Sequence, residues 1–541
     1  MRLADALLQA LRDYGADEIF GIPGDFALPF FRVIEQSNTL PLYTLSHEPA
    51  VGFAADAAGR YRSTIGVACI TYGAGALNMV NPIATAYAEK SPLVVISGAP
   101  GAAERTMGLG LHHQVKHLDS QLLIMREVTA AQCILDDPST ATDEIARVLT
   151  VARETSRPVY IEFPRDMVEA DVPAVPGYMP SPVVEDAAKA AAKEALALLA
   201  KSDRPALLLG VEVRRFGLED KIARLATILG IPVLTTFMGR GILAESGAPV
   251  AGTYLGLAGD EDRRRLVERS DGLLMLGVIL CDTNFGVSKN QIDMRTAAHA
   301  FDGEVRFEHH VYPSITLEAL IDAMLEDAKA LGNAEAVVES HPKDLVADGG
   351  AITPIDVATA VNDFFDRHGT MPIASDMGDC LFTAMDMHHT PLVAPGYYAT
   401  MGTGIPFGIG LQAASGKRPL ILVGDGAFQM TGWELGNCKR YGLNPIVLVF
   451  NNTAWGMLKA FQKGAGYNDL DDWNFADLAT SLGGKGVRVE ARADLANALD
   501  AARADESTFQ LVEIMLPPDD MSPTLRRFTE TIAKKSALKA E

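Results

Sequence analysis

Three groups of side chains in this sequence have types and spacings that can do chemistry. The first ends an apolar run. Pro419-Leu420-Ile421-Leu422-Val423 breaks into Gly424-Asp425-Gly426, and the next apolar run, Ile446 to Phe450, ends in Asn451-Asn452. The pattern predicts a buried strand and a tight turn, then a helix with Thr431 and Glu434 at capping-box spacing and Gly442 at its close, then a second strand. A β-α-β unit of this kind sets Asp425 and Asn452 at neighbouring carboxyl ends of parallel strands, where open α/β sheets bind ligands. One carboxylate and one amide oxygen are too few for a self-sufficient metal cage. They suit Mg2+, which takes hard oxygen ligands and completes an octahedral shell with water and phosphate oxygens. A Gly-Asp-Gly turn alone is common; the strand before it and the Asn-Asn after it make it a candidate site.

The second group is Glu48, in Ser46-His47-Glu48-Pro49-Ala50, where Ser46 can cap a helix and place the carboxylate in its first turn. From position alone Glu48 reads as a partner of the helix dipole. The third is Asp25, in Gly21-Ile22-Pro23-Gly24-Asp25, together with His112-His113 at the end of a Gly-rich loop. A solvated loop is the plain alternative for the histidine pair. An imidazole titrates near neutral pH and a nearby carboxylate raises its pKa, so this set is equipped for proton transfer.

The elements around these groups alternate. Short apolar strands (Glu18 to Ile22, Leu42 to Leu45, Gly66 to Thr71, Pro92 to Ile96) are separated by segments of helical periodicity, which indicates a parallel sheet covered on both faces. A Pro-rich stretch from Asp171 to Glu185 and a polar one from Glu335 to Gly350 read as linkers. They divide the chain into three α/β domains, residues 1–170, 186–333 and 351–541. The first and third share a pattern: strand–turn–helix, then a strand begun by proline, and a last strand running into proline. This points to a duplication.

The 48% hydrophobic content suits a well-cored soluble enzyme, and the net charge of −22 argues against a nucleic-acid or anionic-membrane partner. No apolar run approaches a membrane span, and Met1-Arg2-Leu3-Ala4-Asp5 does not open like a signal peptide. The five cysteines are scattered, without metal spacing, so a cytoplasmic location is expected.

Gly-Asp-Gly followed by Asn-Asn resembles the diphosphate motif of thiamine diphosphate-dependent enzymes. With Asp25, Glu48 and His112-His113, the resemblance extends over nearly the whole chain and is nearest the pyruvate/indolepyruvate decarboxylases. It implies three doubly wound parallel-sheet domains: pyrimidine-binding, Rossmann-like and diphosphate-binding. It implies thiamine diphosphate and Mg2+ as cofactors, with Asp425, Asn452 and the Ala454 carbonyl as metal ligands. Gly424, Gly426, Asp379 and Thr71 then contact the cofactor, Met401 wedges it into a bent shape, and the Ala399 carbonyl accepts from its 4′-amino group. Tyr72 would face it too. Glu48 would share a proton with N1′ of the aminopyrimidine. Asp25, His112 and His113 would handle protons on the reaction side: the ylide adds to a 2-keto acid, CO2 leaves, and the enamine is protonated to release an aldehyde. The family's site lies between two subunits of a homodimer or a dimer of dimers.

One departure matters. Pyruvate decarboxylases carry a glutamate where this chain has Leu458, and leucine transfers no protons. Asp282, beside Thr283, is the candidate replacement; a solvated loop carboxylate is the equal alternative. Thr283, Met377, Met457, Leu458 and Phe461 would line a largely apolar pocket, and Phe528 in the C-terminal helical segment would close over it. Such a pocket predicts an aromatic or long aliphatic 2-keto acid rather than pyruvate, as in the bacterial phenylpyruvate/indolepyruvate decarboxylases. The expected reaction is non-oxidative decarboxylation to the arylacetaldehyde and CO2. The alternatives are a carboligase or lyase using the same cofactor, a decarboxylase of aliphatic 2-keto acids, and a cofactor-binding protein without turnover.

Overall fold

The computed structural model describes residues 1–286, 291–332, 339–462 and 464–540, with side chains described through residue 532. Part of the second predicted linker, residues 335–338, lies outside the described residues, as do residues 333 and 541 at the ends of predicted domains. The chain forms two compact units. One comprises Met1–Ser181, Ile405–Lys417 and Thr431–Leu443; the other comprises Pro182–Gly404, Arg418–Met430 and Asn444–Glu541.

The first unit is built on six strands: β1 (Ile19–Gly21), β2 (Leu42–Thr44), β3 (Gly66–Ile70), β4 (Leu93–Ala99), β5 (Ala131–Ile134) and β6 (Val159–Pro164). All pairings are parallel, in the order β2-β1-β3-β4-β6-β5. Strands β3, β4 and β6 are buried along their whole length, which is why they read as unbroken apolar runs rather than alternations. The helix Leu3–Asp13 lays Leu3, Leu7, Leu8 and Leu11 into the core at helical spacing.

The second unit holds two sheets. One contains β7 (Pro205–Leu209), β8 (Val233–Thr236), β9 (Gly252–Tyr254), β10 (Gly272–Leu276), β11 (Ala297–Phe301), β12 (Glu304–Arg306) and β13 (Val311–Pro313). Its order is β13-β12-β11-β10-β7-β8-β9, and β12 and β13 pair antiparallel at one edge of an otherwise parallel sheet. The other contains β14 (Ile373–Ser375), β15 (Leu392–Val393), β16 (Leu420–Gly424), β17 (Ile446–Asn451), β18 (Lys485–Val489) and β19 (Gln510–Met515), all parallel. Its order, β15-β14-β16-β17-β19-β18, repeats that of the first sheet strand for strand. The likeness read from the two sequence patterns is thus a likeness of topology. In each sheet the strand order reverses beside its earliest strand, between β1 and β3 and between β14 and β16, and the crevice at such a point is where open α/β sheets bind ligands.

Two local expectations are corrected. Gly424-Asp425-Gly426 is not a turn: a helix starts directly at Asp425 and runs to Thr431, which also stands at the N-cap of the 3-10 helix Gly432–Asn437 but makes no side-chain capping bond there. Glu434 accepts the Ser46 N–H at 2.9 Å and the Asn437 side chain at 2.9 Å, all within the first unit, instead of closing a capping box. Likewise His47, not Ser46, stands at the N-cap of the helix Glu48–Arg62. Gly442 closes its helix in the left-handed conformation as expected.

Candidate functional site

In the first unit the candidate residues gather at the carboxyl ends of β1, β2 and β3. Gly24 passes so close to Thr71 that a Cβ on it would lie 2.4 Å from the threonine Cβ. Only glycine lets this turn carry Asp25 across the end of β3. Asp25 Oδ2 lies 2.5 Å from His112 Nε2, and His113 Nε2 lies 3.6 Å from Oδ1. The Phe26 ring stacks on His112 with centroids 5.0 Å apart, which orients that imidazole. His113 adopts a left-handed φ of +67°, and a Cβ on Gly73 would come within 2.1 Å of its carbonyl oxygen. Burial pushes the Asp25 carboxyl up, but the bond and charge of His112, the Phe26 N–H and the charge of His113 outweigh it and hold the group below its ordinary range.

Glu48 is the first residue of its helix, and its Oε2 accepts the Asn78 amide at 2.9 Å. Thr71 Oγ1 is buried with no hydrogen-bond partner among the described residues. Tyr72 does not face the crevice as expected: it is fully buried and gives its hydroxyl to the Leu118 carbonyl at 2.9 Å, anchoring the histidine loop.

In the second unit Asp376 and Asp425 follow the adjacent strands β14 and β16. Asp376 is wholly buried; Oδ1 accepts the N–H groups of Met377 at 2.9 Å and Gly402 at 3.0 Å, and Oδ2 accepts that of Gly404 at 2.7 Å. This bracket fixes the loop carrying Ala399, which holds a left-handed φ of +60°, and Met401, half-buried against the core. Such a backbone costs a non-glycine residue about 1–3 kcal/mol and persists only where its surroundings enforce it. Asp425 accepts the Gly426 N–H at 2.8 Å on Oδ1 and the Ala454 N–H at 3.2 Å on Oδ2. Asn452 Oδ1 also meets the Ala454 N–H at 3.2 Å, and Thr453 between them is left-handed at φ +50°. The paired asparagines differ: Asn451 gives its amide to Glu513 at 2.7 Å and so ties β17 to β19.

These residues fit a metal-bound diphosphate. Asp425 is 4% exposed, and no arginine or lysine pairs with it among the described residues. Burial pushes its carboxyl up to about 6 against the N–H groups of Gly426 and Ala454. A carboxylate in this state gains from a hard cation, and Asn452 and the Ala454 carbonyl offer oxygens of the same kind. A Cβ on Gly424 would meet nothing within 4 Å, so there is open space against that backbone. Asp379, raised to about 6 chiefly by burial, accepts the Ser522 N–H at 2.9 Å and keeps Oδ1 buried with no partner among the described residues.

The remaining predicted residues do not join these clusters. Asp282 is exposed on the loop after β10, and its side chain meets only Thr283, at 3.5 Å, among the described residues. Leu458 and Phe461 lie on the short helix Gly456–Phe461, exposed at 44% and 42%, while Met377 is buried and Met457 half-buried against the core. Phe528 is not a cover: it is buried, with its ring 5.1 Å from that of Phe382. Aromatic packing of that kind makes it core. The sequence reading passed over Asp376, whose role depends on backbone groups, and Gln121 and Glu162, which form a buried polar network below the histidine loop. A charged residue inside the apolar run Val159 to Phe163 was the available signal for Glu162.

Comparison with known proteins agrees with this geometry. Residues 1–123 match the N-terminal TPP binding domain of thiamine pyrophosphate enzymes, residues 192–326 their central domain and residues 376–514 their C-terminal TPP binding domain. The chain is 58% identical over 535 residues to the indole-3-pyruvate decarboxylase of Azospirillum brasilense, covering 98% of each. It is 30% identical over 550 residues to an alpha-keto-acid decarboxylase of Mycobacterium bovis (95% of this chain, 94% of that one), and 29% identical over 547 residues to that of Mycobacterium ulcerans (97% and 94%). Two sheets of one topology, each with a carboxylate at its switch point, are thus the two cofactor-binding domains of a known architecture, and the chain belongs to the thiamine pyrophosphate-dependent 2-keto acid decarboxylases.

Proposed function

We propose that this enzyme decarboxylates an aromatic 2-keto acid, indole-3-pyruvate or phenylpyruvate, non-oxidatively to the arylacetaldehyde and CO2. The observation that carries the reading is the 58% identity, over 98% of both chains, to a protein named indole-3-pyruvate decarboxylase. The exposed apolar side chains Leu458 and Phe461, in place of a polar residue, favour a large apolar substrate.

When bound, thiamine diphosphate supplies the carbon nucleophile and the electron sink that make loss of CO2 possible. In our reading Asp425, Asn452 and the Ala454 carbonyl would hold Mg2+, while Gly424, Gly426, Asp379 and Thr71 would receive the rest of the cofactor. The Ala399 carbonyl would accept from its aminopyrimidine, Met401 would pack against it, and Glu48 would exchange a proton with its ring nitrogen. His112, held by Asp25, would supply the proton that the aldehyde product needs, with His113 and Asp25 resupplying it. Asp282, on a loop beyond these clusters, takes the place of the family glutamate that Leu458 replaces, and Thr283 beside it lines the substrate pocket. Residues 1–170, 186–333 and 351–541 are the working domains, and we carry over the family's homodimer or dimer of dimers, with active sites shared by two protomers. Among the described residues no helix is long and apolar enough to cross a membrane.

The test is aldehyde formation from indole-3-pyruvate, phenylpyruvate and pyruvate, with and without thiamine diphosphate and Mg2+. Cofactor-dependent turnover of the aryl acids with pyruvate poor is the expected result; turnover of pyruvate alone would overturn it. Glu48→Gln is expected to bind cofactor normally and to slow exchange of its C2 hydrogen by about 10²–10⁴-fold, measured by proton NMR.

A further inference from the structure

Glu162 sits on β6 inside the run Val159-Tyr160-Ile161-Glu162-Phe163, with none of its surface exposed (0%). A carboxylate in that position is costly unless partners engage both oxygens. The two oxygens have different partners. Oε1 accepts Gln121 Nε2 at 3.2 Å and the Tyr160 hydroxyl at 3.2 Å. Oε2 faces Arg105, whose Nη2 lies 3.7 Å away, and neither atom has a hydrogen bond among the described residues.

Arg105 and Gln121 bracket the segment that carries His112 and His113. Gln121 is buried, and its amide is fully engaged: Nε2 also reaches Ser97 Oγ at 3.1 Å and the Tyr160 hydroxyl, while Oε1 accepts the Gly73 N–H at 2.5 Å. Gly73 is the residue that lies against His113. On the other side Arg105 gives Nη1 to Asp119 at 3.2 Å, which closes the base of the loop. Between these ends the loop has little core of its own, for Met107, Leu109 and Val115 are all exposed. Its position is set at its ends.

We propose that Glu162 is the positioning residue of the histidine loop, a carboxylate in the sheet that holds both ends of residues 105–121 and so sets where His112 and His113 stand. The inference rests on the reading that these histidines handle protons. The groups facing Glu162 are Arg105 and Asp119 from the loop, Tyr160 from its own strand, Tyr72 after β3 and Cys133 on β5, so Arg105 is the one cation among them. Burial pushes Glu162 up to about 7, opposed by Arg105 and by the bonds from Tyr160 and Gln121.

The experiment is hydrogen–deuterium exchange of peptides spanning residues 106–120 in the full-length enzyme with thiamine diphosphate and Mg2+. Glu162→Gln is expected to exchange these peptides several-fold faster than the wild type, with peptides of β3 and β4 unchanged, kcat lowered and cofactor affinity retained. Arg105→Gln alters the loop side only, leaves the sheet intact and is expected to reproduce the loss, which covers a Glu162→Gln chain that fails to fold. Unchanged loop exchange in the variants would overturn the proposal. Faster exchange with normal turnover would uphold the tether and refute the role given to the histidines.

Discussion

The Asp25 cluster and the Asp425 cluster both stand at the switch point of a sheet with the same strand order, Asp25 after β1 and Asp425 after β16, the counterpart of β3, yet they are built in opposite ways. The Asp25 side chain is 41% exposed and is held by two imidazoles from a loop; Asp425 is 4% exposed and is held by backbone N–H groups that follow strands of its own sheet. Backbone donors are in place whenever the strands are folded, so Asp425 is preorganised. Imidazole donors depend on loop position and protonation, so Asp25 is conditional. In the reading proposed above, one fold thus offers a rigid binding end and an adjustable proton-handling end.

The sharpest break in this comparison is Asp425→Ala. It is expected to weaken Mg2+-dependent binding of thiamine diphosphate by about a hundredfold or more, read by calorimetric titration, because no other carboxylate is offered to the metal. Unaltered affinity would mean that the rigid end lies elsewhere. The next largest effect is at the adjustable end. Asp25→Asn preserves shape but removes the charge that orients His112, and kcat is expected to fall about 10²–10⁴-fold with cofactor affinity unchanged. Loss of cofactor affinity instead would erase the distinction between the two ends.

How much of this was legible in the sequence follows the same division. Strands β3, β4, β16 and β17 announce themselves as apolar runs, and Gly-Asp-Gly and Asn-Asn stand at the ends of β16 and β17, so the Asp425 cluster could be found from residue order alone, while the Asp25 cluster needed the family resemblance. The left-handed φ angles of His113, Ala399 and Thr453 could not, since nothing in a histidine, alanine or threonine signals that conformation. Nor could the bracket around Asp376, whose partners are N–H groups of Met377, Gly402 and Gly404 and carry no side-chain signature. The misread start of the helix at Asp425 has a similar cause: Gly-Asp-Gly favours a turn locally, and tertiary context overrides that preference. Phe528 looked like a cover because it lies in the C-terminal helical segment, but burial against Phe382 makes it core.

Asp376 sharpens the comparison through stability. Burial pushes its carboxyl up to about 7, against an ordinary value of 3.8, so in the folded protein the proton is held more tightly than in the unfolded chain. The sign follows: this group's contribution is fully present below about pH 4 and is lost as pH rises through about 7. Asp376→Asn is expected to abolish that part of the pH dependence of thermal unfolding, measured without cofactor. It should also lower stability by about 1–3 kcal/mol, because the amide nitrogen cannot accept an N–H and one backbone donor is left unpaired. An unchanged pH profile would show that the bracket is held by something other than the carboxylate.

The smallest effect is expected where neither kind of construction applies. Leu458 is 44% exposed on a six-residue helix, and its side chain is engaged in neither cluster. Leu458→Ala should therefore change thermal stability by no more than about 0.5 kcal/mol. If the side chain nonetheless borders the substrate, its removal takes apolar surface from one face of the pocket, and the ratio of kcat/KM for indole-3-pyruvate over pyruvate should fall about tenfold, in the range that a few methylenes command. An unchanged ratio with unchanged stability would make Leu458 a surface residue and shift substrate choice to Met377, buried in the core of the diphosphate-binding sheet, and Met457, packed against it.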